Sequence, residues 1–164
     1  MSGYAKVPDE MWDWPWFAAL RPDAKSLVLW SWTNKRSRLS GLFQVPLAVA
    51  AAEIGMSESR VEKVLSLPGL AAHLKVDAAG GWWWACDKAA TCTGPKQTAG
   101  ARAQAASLPA GTWIRQDWAA AYGVDLDEPW PAGVAPDRLV YDPSAVVGHR
   151  LPFPAATGRK AGAG

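Results

Sequence analysis

The sequence predicts a mainly α fold with a small β-sheet, and three observations carry that prediction. In the stretch 41–84, a short apolar strand at Gly41-Leu42-Phe43-Gln44-Val45-Pro46 precedes two helical runs, 47–54 and 58–66, joined by Gly55-Met56-Ser57. Two extended runs follow, Leu74-Lys75-Val76-Asp77 and Trp82-Trp83-Trp84, separated by the turn Ala78-Ala79-Gly80-Gly81. Strand, helix, tight turn, helix and hairpin in this order are the layout of a winged helix-turn-helix. Helical patterns at 96–107 and 112–122 then add C-terminal helices ahead of a Pro/Gly-rich tail. The expected organisation is a winged helix-turn-helix domain over 4–92, a helical extension packed on it over 93–123, and a tail over 124–164 that is largely extended or disordered.

Before the first strand, the cluster Met11-Trp12-Asp13-Trp14-Pro15-Trp16-Phe17 is expected to pack as a lid. Pro22 suits a first helical turn, where its missing N–H costs nothing. In the helix that follows, Leu27, Trp30 and Ser31 share a face with Ala24, and Val28 and Trp32 widen it, so most of this helix is buried. The basic run Thr33-Asn34-Lys35-Arg36-Ser37-Arg38 ends it. These cations either complement the helix C-terminus or form a phosphate-contacting loop, and the two roles are compatible.

Gly55 reads as a left-handed stop and Ser57 as an N-cap. In the second helix of the pair, Val61, Val64 and Leu65 form the inward face, leaving Glu58, Ser59, Arg60, Glu62, Lys63 and Ser66 outward. Ser59, Arg60 and Lys63 are best placed to meet a major groove, arginine being the commonest reader of guanine edges. The alternative is an ordinary solvated face. The expected DNA-contacting set is therefore Lys35, Arg36 and Arg38 from the loop with Ser57, Ser59, Arg60 and Lys63 from the helix. Trp82 and Trp84 share one face of the hairpin and Trp83 the other. Three tryptophans exposed together would form a large apolar patch, so either other elements cover them or they stack single-stranded bases.

The ordered string Tyr4-Ala5-Lys6-Val7-Pro8, Trp12 to Leu20, Arg21-Pro22-Asp23-Ala24-Lys25, Thr33-Asn34, Gly41-Leu42-Phe43-Gln44-Val45-Pro46, Ala51-Ala52-Glu53-Ile54-Gly55, Met56-Ser57-Glu58-Ser59-Arg60-Val61 and Trp82-Trp83-Trp84 resembles the N-terminal winged-helix domain of bacteriophage replication initiator and replisome-organiser proteins. The similarity spans residues 4–88 and continues more faintly to Tyr122. It implies a phage-type protein that binds double-stranded DNA in replication initiation or transcriptional control; the Pro/Gly-rich tail departs from the family's long basic C-terminal region, and its alternative reading is a binding segment for a replication or host protein. A second reading is a winged-helix fold reused as a protein-binding module that inhibits or redirects a host or phage machine.

The remaining features bound the function without naming it. A chain of 164 residues, 49% apolar, suffices for one core plus a tail, and its net charge of +2 leaves any phosphate binding to a local patch. No N-terminal apolar segment and no run of about 18 uncharged apolar residues occurs, so a cytoplasmic protein is expected, in contact with no membrane. Cys86 and Cys92 are separated by five residues, which fits no zinc pattern, and read as reduced structural thiols or, alternatively, a disulfide. His73 and His149 lack a carboxylate or cysteine at useful spacing, and Asp125, Asp127 and Glu128 read as a solvated acidic turn. No enzyme, cofactor or metal is implied. In the C-terminal third, Arg102 and Gln104 are expected to face outward from the alanine-rich helix, Ile114, Trp118 and Tyr122 to face inward with Gly123 as a stop, and residues 138–141 to form a short strand.

Overall fold

Two short strands bracket a third, and the third is made of tryptophan. The computed structural model describes residues 5–131 and 133–146; Tyr4, His149 and the rest of the tail lie outside the described residues. Strands β1 (Leu42–Gln44), β2 (Leu74–Asp77) and β3 (Trp82–Ala85) form an antiparallel sheet in the order β1-β3-β2. Phe43 and Val76 both lie opposite Trp83, and Leu42 and Lys75 both lie opposite Trp84. Because successive strand residues point to opposite faces, Trp83 and Ala85 enter one core with Phe43, Leu74 and Val76. Trp84 enters a second core with Leu42 and Cys86. Both faces of the sheet are therefore covered by helices.

The first layer holds α1 (Pro15–Ala18), α2 (Pro22–Thr33), α3 (Leu47–Ile54), α4 (Glu58–Leu65) and α5 (Pro68–Ala71). Ala24, Leu27, Val28, Ser31 and Trp32 of α2 are buried, as its sequence pattern predicts, and Trp30 packs at the margin. The N-terminal aromatic cluster is more than a lid. Met11 and Phe17 are fully buried members of this core, Trp14 and Trp16 are half-buried, and Trp12 is the exposed ring of the cluster.

In the second layer, a 3-10 turn (Lys88–Thr91) leads to α6 (Pro95–Ala106) and α7 (Trp113–Tyr122). Ile114, Trp118 and Tyr122 face the core and Gly123 ends α7 in the left-handed conformation, at φ 62°. Arg102 departs from expectation. It is buried, its guanidinium donates to the carbonyls of Asp125, at 2.8 Å, and of Glu128, and it lies over the Trp130 ring. Gln104 also turns inward and accepts from the Ser40 N–H. A small alanine-rich helix leaves room for the chain to fold back over it, so its polar residues meet backbone groups rather than water.

That returning chain is residues 124–146. Its described residues form no α-helix or strand, yet Val124, Leu126 and Leu139 are buried in the second core. The strand expected over 138–141 does not form, because the backbone here meets helices rather than a sheet edge. Asp137 O accepts from Gly94 N, Pro136 O from the Thr98 hydroxyl, and Asp142 N donates to Ala121 O. Tyr141 reaches across to the Ala72 carbonyl.

Gly41 is obligatory where the basic loop enters β1. Its φ is +78°, and a Cβ there would lie 2.2 Å from the Ala85 carbonyl oxygen.

Limited proteolysis should leave a resistant core that retains Leu139 and Tyr141, and Arg102→Ala should shift the first cleavage to residues 124–131 by leaving two carbonyls without a donor, a loss of about 1–3 kcal/mol. First cleavage at 124–131 in the unmodified chain would show that this segment is not docked. Truncating Trp83 or Trp84 to alanine should cost roughly 3–5 kcal/mol in denaturant melts. Phenylalanine separates them. The Trp83 indole N–H donates to Val45 O at 3.0 Å, whereas the buried Trp84 indole N–H has no hydrogen-bond partner among the described residues. Trp83→Phe should therefore be the costlier change, and the reverse order would mean that the Trp84 N–H is satisfied.

Candidate nucleic-acid interface

Local chemistry sets the bend between α3 and α4. Gly55 adopts φ 80°, ψ 30°, and the N–H groups of Gly55 and Met56 both donate to Ala51 O at 3.0 Å. Ser57 is extended and its hydroxyl accepts from Arg60 N at 3.2 Å, which starts α4. Val61, Val64 and Leu65 are buried, and Glu58, Ser59, Arg60, Glu62, Lys63 and Ser66 are all exposed, as their spacing predicts. Apart from the helix ends, α4 presents no apolar side chain outward.

The charged residues on this side are organised by two carboxylates. Asp23, in the first turn of α2, takes Arg60 at 2.5 Å and Arg21 at 2.9 Å. Hydrogen bonding from Arg21 foremost, then from Arg60, lowers the Asp23 pKa from 3.8 to about 2. Glu53 of α3 accepts from the Trp30 indole at 2.9 Å and from Arg36 at 2.9 and 3.1 Å, and its pKa is likewise lowered, by Trp30 first and Arg36 second. Both partners of the second pair keep substantial exposure, so that pair is worth no more than about 1 kcal/mol to stability.

Of the seven residues singled out from sequence, Ser57 is occupied in capping α4 and lies 3.2 Å from the Ser59 hydroxyl. Arg36 and Arg60 are held by carboxylates. Lys35, Arg38 and Lys63 are exposed and form no ion pair among the described residues. The basic loop and α4 do not converge on one spot. Arg60 sits at the N-terminal end of α2 and the loop follows its C-terminal end, so the helix, 12 residues long, separates them by roughly 18 Å at 1.5 Å per residue.

The C-terminus of α2 is not closed by the loop cations either. Asn34 donates to Trp30 O at 3.0 Å, and Lys88, from the far layer, donates to Trp32 O at 2.9 Å and to the Ser37 hydroxyl at 2.7 Å. Burial brings the Lys88 pKa down from 10.5 to about 8. Lys35, Arg38 and Lys88 line a cleft of about 640 Å³ beneath this loop. Sequence spacing does not reveal Lys88, Asp23 or Glu53 as site residues. Lys88 and Glu53 do carry a weak signal, each being a lone charge of its sign in an alanine-rich stretch.

His73 has a carboxylate partner that its sequence neighbours do not suggest. Its Nδ1 lies 2.8 Å from an Asp87 oxygen, and its ring stacks on Trp16 at 3.9 Å and an interplanar angle of 4°. The nearby Cys86 thiol is fully buried and its pKa is pushed up by burial, so it offers no thiolate to this pair. Cys86 and Cys92 are both free thiols. Among the described residues, no group of three His, Cys, Asp or Glu is arranged to hold a metal, and no helix is long and apolar enough to cross a membrane. Comparison of the chain with protein-family models, with curated proteins and with solved structures finds no match.

The Asp23 pairing gives a pH signature. Its folded-state pKa lies below the ordinary value, so the stabilisation is complete above about pH 4 and is lost as the pH falls through 2. Asp23→Asn should flatten the dependence of unfolding free energy on pH in that interval, measured by denaturant melts from pH 5 to the acid limit of reversibility. An unchanged acid limb would show that the pair is not formed in solution.

Proposed function

We propose that the unit from α2 to β3 is a winged helix-turn-helix that binds double-stranded DNA, with α4 in the major groove and the β2–β3 hairpin as the wing. The observation that carries this reading is the α3–Gly55–α4 pair, capped at both sides of its turn, with an outward α4 face that is wholly polar and bears Ser59, Arg60 and Lys63. The helix and strand order and the β1-β3-β2 sheet agree with it. The loop cations Lys35 and Arg38, about 18 Å from Arg60, lie about half a duplex turn away and suit contacts to backbone phosphates on the flank of the groove. The resemblance to phage replication initiators and replisome organisers supports a role in replication initiation, or in transcriptional control, within the cytoplasm of a bacterial host.

A protein-binding module is the second reading, and a specific observation favours it. Asp23 and Glu53 engage Arg60 and Arg36, Glu58 and Glu62 flank the α4 cations, and the wing tip Ala78-Ala79-Gly80-Gly81 carries no charge. Such a face suits a partner of mixed charge.

Fluorescence anisotropy with random duplex fragments at several salt concentrations separates the two. For a DNA binder, log affinity falls linearly with log salt, and charge reversal at Lys35 or Arg38 reduces the slope by roughly one unit for each phosphate that is no longer neutralised. Arg60→Ala should weaken binding to a preferred sequence by about 1–3 kcal/mol while leaving the salt slope nearly unchanged. Asp23→Asn should tighten duplex binding, since it releases Arg60 and removes a negative charge. Absence of any salt-dependent duplex affinity at about 50 mM salt would leave the protein-binding reading as the better account.

A further inference from the structure

The cleft beneath the basic loop is lined by four cations together with neutral hydroxyl and amide side chains. Lys6, Lys35 and Arg38 are exposed around it, Lys88 is 9% exposed, and no aspartate or glutamate among the described residues lines it. Gln97 and Gln104 belong to the same lining, and both have their side-chain oxygens occupied by backbone N–H groups, of Thr93 and Ser40, each at 2.9 Å. Their NH₂ groups remain as donors.

Lys88 is the least satisfied member. An ammonium has three N–H bonds, and those of Lys88 meet one carbonyl, Trp32 O, and one hydroxyl, that of Ser37. No carboxylate lies within 4 Å of it among the described residues. A cation buried without a counter-ion is costly, and an anion entering from the cleft would offset that cost.

We propose that this cleft binds a small phosphorylated molecule, with phosphate oxygens on Lys88 Nζ and the Gln97 and Gln104 amides, and with Lys6, Lys35 and Arg38 neutralising the remaining charge at the mouth. A volume of about 640 Å³ is in the range of small-molecule sites. Duplex DNA is a poor occupant, because its stiff backbone meets the exposed loop cations and not a side chain as enclosed as Lys88. Burial depresses the Lys88 pKa, and a bound phosphate would raise it. This site stands independently of the DNA-binding reading, although Lys35 and Arg38 border both.

Titration calorimetry of the intact chain with inorganic phosphate, pyrophosphate and ADP, at constant ionic strength against chloride, tests the proposal. Saturable binding of at least one probe is expected, weakened at least about tenfold by Lys88→Gln through loss of charge-assisted hydrogen bonds. Saturation by phosphate alone identifies free phosphate as sufficient, and saturation by ADP alone identifies a nucleotide. Should Lys88→Gln unfold, the exposed variants Lys35→Gln and Arg38→Gln are expected to lower affinity several-fold. Labelling of Lys88 by an amine-reactive ester near pH 8, read by mass spectrometry, should slow when the probe is bound. Lys63→Ala, which lies outside the cleft, should weaken duplex binding and leave phosphate binding intact, so the two sites fail separately. No saturable binding of any probe up to about 10 mM, or binding undiminished in the Arg38 and Lys88 variants, would overturn the proposal.

Discussion

A central strand made of consecutive tryptophans cannot leave either face to water, and most of this architecture follows from that constraint. Each fully buried tryptophan removes about 200 Å² from solvent, worth roughly 5 kcal/mol at 25 cal/mol per Å². With Trp83 on one side and Trp84 on the other, a single helical layer would satisfy only half of the strand. The second layer of α6, α7 and the chain to Val146 is therefore part of the same cooperative structure as the helix pair, and three of its aromatic side chains mark the seam. Trp118 donates its indole N–H to Ser40 O at 3.0 Å, and the Tyr122 and Tyr141 hydroxyls donate to Cys86 and Ala72 carbonyls. Each pins a loop that borders the sheet. The hairpin is therefore held against a filled core on both sides and α4 against the first core through Val61, Val64 and Leu65, an arrangement that would preorganise the candidate interface.

Local signals made the elements legible. Gly55 and Ser57 mark the turn of the helix pair, the three-and-four spacing of Val61, Val64 and Leu65 sorts the faces of α4, and strand alternation places Trp83 opposite in sense to Trp84. These depend on neighbours within a few residues. What sequence reading misses lies in pairs joined only by the fold: Asp23 with Arg60, Glu53 with Arg36, Lys88 with Trp32 O, and Arg102 with the turn at 125–128. The same cause explains the inward turn of Arg102 and the absent strand at 138–141. Proline frequency reports that a segment is not helical, but it does not report whether Leu139 and Tyr141 find a hydrophobic surface to cover. That surface exists because alanines 101 and 105 of α6 are small and buried.

The ends of α2 show how capping and binding divide the available charges. At its N-terminus, where the helix dipole favours an anion, Asp23 is present and draws in Arg21 and Arg60. At its C-terminus, where a cation is favoured, the position is filled by Lys88 from another layer together with the Asn34 amide. The loop cations that sequence proximity assigns to that end are thereby released from it. Had Lys35 or Arg38 closed the last turn of α2, its head group would be bound to carbonyls and poorly placed for phosphate. Because a buried lysine does this instead, Lys35 and Arg38 form no ion pair among the described residues at one end of the helix, while at the other end Arg60 is held by a carboxylate that a bound phosphate or base edge would have to displace. The cost of that displacement is small, since Arg60 is half exposed and pairs of this kind contribute about 1 kcal/mol or less. Contacts from the loop should therefore supply the sequence-independent part of any duplex affinity, and Arg60, released only where a better acceptor is offered, the part that discriminates.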